Sequence, residues 1–346
     1  MSNHQTRRGF TLIELLLVIA IIALLVGILL PGLSGARNEA RAIKCAASAR
    51  SVGQLMLAYS NDYRVYPPSY VYPSDSDGFN WRMDEQQGSD SSNGYLHWSY
   101  LITGRGETAQ DAFQCPALWK GGAPAANWGT NDEDAEGWMI NENPSVIDRQ
   151  VKRVAYAPND MIIPRNKFAT TGNVQKPYRL VKQADVDSTA QGSSKTIVLA
   201  EWLNVDSYKS LSSTSQEGRI KSHRPITPVN NQGSSPFEPE KITARGSRII
   251  PFFYPNVDAS SGNSDLRTTD ALGAGMIEDA QTVLNAIGRH HPPKGGAFGG
   301  TTNFTFLDGH VERLTIAETV QKRLWGDKFF SMTGDNRITP PNPATP

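Results

Sequence analysis

A long apolar run near the N-terminus constrains this chain most. The run begins at Phe10, ends at Leu30 and contains one charged residue, Glu14. As an α-helix it would span about 31 Å, which matches the hydrocarbon core of a bilayer. Arg7 and Arg8 precede the run, and no acidic residue lies before Glu14. The positive-inside rule therefore predicts a single-pass membrane helix, with its N-terminus in the cytoplasm and everything after the helix outside.

Glu14 is the unusual residue of this helix, because a carboxylate near the start of a membrane-length helix is costly without a partner. The best partner is the α-amino group that cleavage after Gly9 would create on Phe10. Phe10 and Glu14 are about one helical turn apart. In a staggered stack of parallel helices, Glu14 of one chain can therefore meet the Phe10 ammonium of the next. The paired charges neutralise one another, so the spacing predicts an assembly contact.

The run has two possible interpretations besides an assembly helix. A secretory signal peptide has an apolar region of about 7–15 residues and a small-residue cleavage site. Ser34, Gly35 and Ala36 could form such a site, but the run is too long for this class and Glu14 lies in the wrong place. A plain membrane anchor has the right length but gives no reason for Glu14. The sequence therefore favours an assembly helix that is retained after processing.

The segment around the predicted cut resembles a known processing signal. From Arg8 to Glu14 it reads RGFTLIE, which is similar to the class III signal of type IV pilins and type II secretion pseudopilins. The resemblance implies cleavage between Gly9 and Phe10 by a prepilin peptidase at the inner membrane, followed by N-methylation of Phe10. It also implies that the helix stays as the membrane anchor and later packs with other copies or related subunits in a helical filament. The head would lie in the periplasm or at the cell surface.

Four segments are predicted along the chain. They are a leader peptide (1–9), a transmembrane and filament-core helix (10–30), an amphipathic continuation of that helix (31–61) and a globular head (62–346). Pro31, which a glycine follows, should kink or loosen the helix. The continuation is predicted to be amphipathic because apolar residues recur at spacings near three or four: Ile43, Ala46, Ala47, Val52, Leu55, Met56 and Tyr59.

The head is predicted to be mostly β with long loops, which gives an α+β fold. Strand candidates are residues 151–157, 195–203, 248–254 and 303–314, and helical spacing occurs at 275–287 and 317–325. Strand residues also flank the pair Asp308 and Gly309. A two-residue Asp-Gly loop between strands is a strong hairpin signal, in which the glycine supplies a positive φ.

Parts of the head resemble a large-headed pseudopilin-like family common in planctomycete and verrucomicrobial bacteria. The similar segments are a helix end (45–59), a Cys-Pro segment (113–116), a late strand (194–201) and an Asp-Gly-His signature (306–312). In that family a histidine usually precedes the Asp-Gly pair at a shorter distance than His291 does here. No geometric relation between His291 and the pair is therefore carried over.

The two cysteines of the chain, Cys45 and Cys115, leave two possibilities open. The membrane interpretation places both outside the cytoplasm, where they could form one disulfide bridge. The alternative is that they are unrelated small apolar side chains.

Calcium has one weak candidate site in the head. Asp132, Asp134 and Glu136 alternate before a glycine, as at the start of a calcium loop, but the closing acidic residue is misplaced. Pseudopilins of type II systems often bind calcium in the head, which the resemblance carries over as a possibility. The sequence nevertheless favours a solvated acidic loop, and no cofactor is predicted.

A second metal site is possible in principle from side chains that are far apart in the sequence: Glu201, His290, His291, Asp308 and His310. Nothing in the sequence brings these residues together, and the predicted hairpin already explains the Asp-Gly pair. The sequence therefore favours structural roles for them.

Charge and motifs narrow the functional class. The chain has 34 basic and 34 acidic residues, which gives no indication of nucleic acid binding. It contains no nucleophile elbow, phosphate loop or zinc-protease motif. Five tryptophans lie between Trp81 and Trp138, where core packing is favoured over a sugar-binding platform. The prediction is a structural subunit and not an enzyme. The alternative is an exported binding module for a glycan or metal, or an enzyme, on the same anchor.

Overall fold

One long helix, α1, forms the N-terminal part of the structure. It covers Leu12–Tyr63, a length of 52 residues, and is about 78 Å long at 1.5 Å per residue. The helix runs unbroken past Pro31 and ends where Arg64 adopts a left-handed conformation with φ of 62°. Two prolines follow closely, at 67 and 68, and they prevent the helix from resuming. The helix thus ends close to its predicted position.

The head consists of short helices and strands joined by irregular segments. The computed structural model describes residues 10–74, 80–86, 94–104, 110–124, 148–166, 168, 178–203, 223–231, 252–258, 265–266, 284–293, 295–332 and 338–339. The other α-helices are α2 (Trp98–Ile102), α3 (Gln183–Asp187) and α4 (Ile316–Gln321). The strands are β1 (Tyr70–Val71), β2 (Leu96–His97), β3 (Ala123–Pro124), β4 (Arg153–Val154), β5 (Tyr156–Pro158), β6 (Ile197–Glu201), β7 (Asn230–Asn231), β8 (Phe252–Phe253), β9 (Thr302–Phe306), β10 (Val311–Leu314) and β11 (Ile338–Thr339).

A four-stranded antiparallel sheet in the order β10-β9-β6-β5 is the centre of the head. Thr305 of β9 pairs with Val311 on one side and with Leu199 on the other, and the register shifts once between positions 197 and 199 of β6. A second sheet, β11-β8-β7, contains the parallel pair β8–β11, while β1–β2 and β3–β4 form separate antiparallel pairs. The α+β prediction, with a mostly antiparallel head, is confirmed.

The second half of α1 packs on this central sheet through a narrow stripe of small and apolar residues. The stripe has the predicted spacing of three and four, but several of its members differ from the predicted ones: Ala42, Cys45, Ala49, Val52 and Met56 are buried. Ile43 is instead 67% exposed, and Ala47 is also exposed. Alanine and cysteine at the buried positions let the helix approach the sheet closely, and the predicted set does not include Ala42, Cys45 or Ala49.

The predicted Asp-Gly hairpin is present, but its loop has three residues and not two. The backbone N–H of Gly309 donates to the carbonyl of Phe306, and the N–H of Phe306 donates to the carbonyl of His310. Leu307, Asp308 and Gly309 thus form the loop, with Gly309 at φ of 85°. This is a type I turn closed by a glycine bulge. Asp308 is a turn residue, as predicted.

Three other strand candidates and one helix candidate agree with the sequence-based expectations. Strands β4 and β5 lie within or next to residues 151–157, β6 lies inside 195–203, and β8 lies inside 248–254. Helix α4 begins one residue before the segment 317–325 and is shorter than it. The helical spacing at 275–287 falls almost entirely outside the described residues, and so do Asp132, Asp134 and Glu136 of the calcium candidate.

Candidate functional site

The first nineteen residues of α1 form an apolar rod that is not packed against any other element in the described part of the chain. Leu12–Leu30 is long and apolar enough to cross a membrane, and none of it is buried. Exposure of a contiguous apolar surface of this size is typical of a segment that contacts lipid or other protein helices. Because the helix is apolar on all sides, its composition fits a membrane span better than the surface of a globular domain.

Glu14 has a local partner in the structure. The side chain of Thr11 caps the helix by accepting from the Glu14 N–H at 3.3 Å. In return, Oε2 of Glu14 accepts from the Thr11 N–H and from the Thr11 hydroxyl, both at 2.9 Å. This reciprocal arrangement is a capping box. The expectation that a plain anchor gives no reason for Glu14 is therefore wrong, and the Thr-x-x-Glu spacing was the signal that predicts this local role.

Phe10 precedes the cap and is 74% exposed. Gly9 and the rest of the predicted leader fall outside the described residues. A chain cut after Gly9 would carry its new ammonium group on Phe10, one residue before the helix cap at Thr11. The carboxylate of Glu14 lies on the first turn of the same helix. Cleavage would therefore concentrate one positive and one negative charge at the tip of the apolar rod.

A buried polar cluster lies where α1 meets the central sheet. Oε2 of Glu201 accepts from the Thr302 hydroxyl at 2.7 Å and from the Asn303 N–H at 3.0 Å. Its Oε1 accepts from the Asn303 amide nitrogen, also at 3.0 Å. Nε2 of His291 is 3.0 Å from Oε2, and Nε2 of His290 is 3.7 Å from it. Glu201 is fully buried and His291 is 1% exposed, so the pair is isolated from solvent.

The pairing of β6 with β9 explains how these residues meet. Glu201 ends β6, while Thr302 and Asn303 begin β9, the neighbouring strand. His291 joins the same edge because it exchanges two backbone hydrogen bonds with Thr301, both of 3.0 Å. Strand register over a long sequence separation therefore assembles the cluster.

The carboxyl group of Glu201 is held in its charged form. Burial raises its pKa, but the hydrogen bond and charge of His291, the charge of His290 and the Asn303 N–H together hold the pKa below its usual value. A buried carboxylate needs such donors to remain ionised. The cluster is thus a satisfied anionic group in the core.

The two cysteines lie beside this cluster and are joined in a disulfide, with an S–S distance of 1.99 Å. Cys45 comes from α1, and Cys115 follows the 3-10 helix Gln110–Phe113. Both are fully buried. The bridge fixes α1 to the head, and Asn303 adds a second link because its side-chain N–H donates to the Ala42 carbonyl at 3.3 Å.

Only part of the second candidate metal group, for which the sequence favours structural roles, comes together. Glu201, His290 and His291 converge, which the sequence gave no reason to expect. Asp308 and His310 instead lie at the exposed tip of the β9–β10 hairpin, where Nδ1 of His310 is 2.5 Å from Oδ1 of Asp308. The structure also adds two residues that the group did not include: the ligand atoms of Cys45, Cys115, Glu201 and His291 all lie within 4.8 Å of one another.

The aromatic segment is mainly a packing element in its described part. Trp98 is fully buried, and its ring lies 5.7 Å from that of Phe113. Trp81 and Trp119 are half-buried. The other two tryptophans of this segment, at 128 and 138, fall outside the described residues.

Comparison with known proteins finds one match, at the N-terminus. Residues 5–30 match the family model described as the prokaryotic N-terminal methylation motif. No curated protein and no solved structure matches the chain. The matched segment contains the predicted cut, Phe10, Glu14 and the whole apolar rod. The chain therefore carries the processing motif of type IV pilin-like precursors, in front of an apolar helix that fits a membrane anchor.

Proposed function

We propose that this chain is the precursor of a structural subunit of a type IV pilus-like or type II secretion pseudopilus filament. A prepilin peptidase removes residues 1–9 and methylates Phe10, and the apolar rod Leu12–Leu30 anchors the subunit in the inner membrane. Copies of the chain, or related subunits, then pack through these rods. The head projects into the periplasm or onto the cell surface. The large head favours a pseudopilin or a minor subunit over a close-packed major pilin.

The observation that carries this proposal is the combination of the methylation motif with an apolar rod, Leu12–Leu30, that is exposed among the described residues. The methylation motif at residues 5–30 contains the proposed cut after Gly9 and the proposed methylated residue, Phe10. The rod that follows is exposed along its entire length, whereas the same helix is buried on one face from Ala42 onward. The head thus folds on the second half of α1 and leaves the first half available for lipid and for neighbouring subunits.

Glu14 can serve two purposes in sequence. In the single chain its carboxylate caps the helix through Thr11. In the filament, the same carboxylate would accept the Phe10 ammonium of the adjacent subunit, a charge that is costly to bury unpaired in an apolar core. A carboxylate has about four lone-pair sites, so it can keep the cap and also bind the ammonium.

The first experiment determines the mature N-terminus. The full chain is expressed with a prepilin peptidase, and the intact mass is measured. We expect loss of residues 1–9 and one added methyl group on Phe10. Gly9→Val is the control, because a branched side chain at the cut should block processing without changing the rod. A mature chain that begins near Ala36 would contradict the proposal, since the apolar rod would then have been removed as a signal peptide.

The second experiment separates the two roles of Glu14. Glu14→Gln removes the charge but keeps the capping box, because glutamine also serves at this position. We expect normal cleavage and membrane insertion but a loss of filaments, measured by electron microscopy and by cross-linking of the rods. Glu39→Gln is the matched control. Glu39 is a carboxylate on the same helix that pairs with Arg313 at 2.8 Å, and its replacement should leave assembly unchanged.

Filaments of wild-type abundance from Glu14→Gln would refute the intermolecular pair and leave capping as the whole role of Glu14. Glu14→Ala completes the comparison, because it removes both the charge and the cap. If assembly depends on the charge, glutamine and alanine should be equally defective. If it depends on the cap, only alanine should be defective.

A further inference from the structure

The part of α1 that follows the apolar rod carries a basic face, which consists of Arg37, Arg41 and Lys44. These residues are four and three positions apart, which places them within about 60° of one another around the helix axis. All three are exposed, and none of them forms an ion pair with another described residue. The nearby acidic residue Glu39 is instead paired with Arg313 at 2.8 Å. Three positive charges therefore remain uncompensated on this face within the described part of the chain.

The basic face lies close to where the membrane surface would be if the rod spans a bilayer. The rod ends at Leu30. At 1.5 Å per residue, Arg37 lies about 10 Å farther along the axis, Arg41 about 16 Å and Lys44 about 21 Å. The headgroup layer covers about 5–7 Å of this distance, and helical side chains tilt toward the N-terminus, which here is toward the membrane. The two arginines thus come within about one Debye length of the headgroups, about 8 Å, and Lys44 lies at the limit of that range.

We propose that the basic face binds the headgroup phosphates of anionic phospholipids, on the side of the membrane where the head lies. A guanidinium group matches a phosphate through two parallel hydrogen bonds, and a lysine ammonium adds a point charge. The positive-inside rule gives no reason for these residues, because it concerns basic residues on the cytoplasmic side. The inference rests on the proposed insertion of the rod into a membrane, but not on cleavage or on filament assembly.

A lipid surface fits the position of this face better than an acidic surface of another protein does. The face continues the same helix as the rod, so insertion of the rod brings the three charges to the headgroups without ordering any further segment. Contacts with headgroups would also fix the depth of the rod, because long basic side chains at the end of a membrane helix extend to the membrane surface.

Arg50 provides a control within the same helix. It is exposed like the residues of the basic face, but it lies about 30 Å beyond Leu30 along the axis. It also lies about 140° around the helix from Arg37. A contact that depends on net charge alone would involve Arg50 as much as the others, whereas a contact with headgroups would not.

The test measures the preference of the chain between two lipids that differ only in their headgroup. The chain is produced without residues 1–9, so that Arg7 and Arg8 do not contribute, and is held in non-ionic detergent with equal amounts of phosphatidylglycerol and phosphatidylcholine. Native mass spectrometry counts the bound lipids of each kind. One basic residue at an anionic membrane surface contributes about fivefold in affinity, so we expect at least about a fivefold preference for phosphatidylglycerol. The preference should fall as the ionic strength rises from about 0.05 to about 0.5 M.

Three variants locate the contact. The combined variant Arg37→Gln, Arg41→Gln and Lys44→Gln should bind the two lipids equally, while Arg50→Gln should keep the wild-type preference. Replacing both arginines of the basic face by lysine should retain most of the preference, because the charge is kept. All the replaced side chains are exposed, so near-ultraviolet circular dichroism should be unchanged in every variant.

The possible outcomes separate this inference from the proposed function. Equal binding of both lipids by the wild type overturns the inference, and so does a wild-type preference in the combined variant or an equal loss in Arg50→Gln. Flotation with vesicles tests the anchor: a wild-type chain that does not float refutes the membrane anchor and this inference with it, whereas normal flotation without a lipid preference refutes the basic face alone. If the wild type shows no lipid preference and the combined variant forms no filaments, the face binds a neighbouring subunit and not lipid.

Discussion

Gly53 is the point where α1 and the central sheet approach most closely among the glycines of the described helix. A Cβ atom at this position would lie 2.7 Å from Cγ2 of Thr305 and 3.5 Å from Cα of Gly309. The first distance is about 1 Å short of a favourable carbon–carbon contact. Thr305 is 1% exposed and β-branched, so its side chain has little freedom to rotate away. The helix or the strand would have to move.

Gly53→Ala should therefore destabilise the chain although alanine is the better helix former. Overpacking of this kind costs about 1–3 kcal/mol, while the change from glycine to alanine within a helix gains about 1 kcal/mol. The net loss of unfolding free energy should be about 0–2 kcal/mol. Gly35→Ala is the matched control, because a Cβ at Gly35 would meet nothing within 4 Å. The free energy of unfolding of Gly35→Ala should rise by up to about 1 kcal/mol.

Thr305→Ser isolates the contact, because it removes the clashing methyl group and keeps the hydroxyl. In this background Gly53→Ala should no longer be destabilising, and the coupling energy of the cycle should be about 1–3 kcal/mol. Chemical unfolding of the four proteins in detergent, followed by tryptophan fluorescence, measures these values. If the two changes are additive, or if Gly53→Ala is as favourable as Gly35→Ala, the close contact does not determine how α1 sits on the sheet.

Three further changes test the head. Replacing Cys45 and Cys115 together by alanine should lower the free energy of unfolding by about 4 kcal/mol, because the bridge spans a sequence separation of 70 residues; denaturant titration measures this, and a loss below about 1 kcal/mol would show that the unfolded chain is already compact. Glu201→Gln should lower the free energy of unfolding by about 3–5 kcal/mol at pH 7, because it leaves the buried partners of Glu201 without the carboxylate charge. Although burial raises the pKa of Glu201, its histidine partners and the Asn303 N–H hold that pKa below its usual value. Its stabilising effect is therefore present above the unfolded pKa of about 4.3 and is lost as the pH falls through the folded pKa. Between pH 7 and pH 3 the free energy of unfolding should consequently fall less in the variant than in the wild type. Equal losses in the two proteins would contradict this. Gly309→Ala should lower the free energy of unfolding by about 1–2 kcal/mol, since φ at this residue is 85°. An unchanged midpoint of thermal unfolding would show that the turn adapts.

Local sequence signals predicted the parts of the fold that depend on neighbouring residues. The length of α1, the position of β6 and the β9–β10 hairpin all follow from spacing within short windows. The hairpin loop was predicted one residue too short because Asp-Gly fits both a two-residue turn and the last two positions of a three-residue loop with a glycine bulge. Backbone hydrogen bonds from Gly309 and Phe306 distinguish the two, and the sequence does not contain that information.

The buried cluster could not be predicted because it depends on long-range pairing. Glu201 meets Asn303 only because β6 and β9 are neighbours in a register with one irregularity. His291 arrives through its bridge to Thr301. In the sequence these residues look like a strand glutamate and a histidine before a loop. A fully apolar strand that ends in a carboxylate was the one available hint, since a buried carboxylate requires partners.

The two halves of α1 show how a change in pattern along one helix marks a change in environment. Up to Leu30 the residues are apolar on every face, which a helix in water cannot tolerate without a partner. From Ala42 the buried positions narrow to one stripe, with charged residues such as Arg41 and Arg50 outside it. The close contact at Gly53 and the cross-link at Cys45 both lie on the buried stripe, so they hold α1 to the head and leave the other faces of the helix exposed.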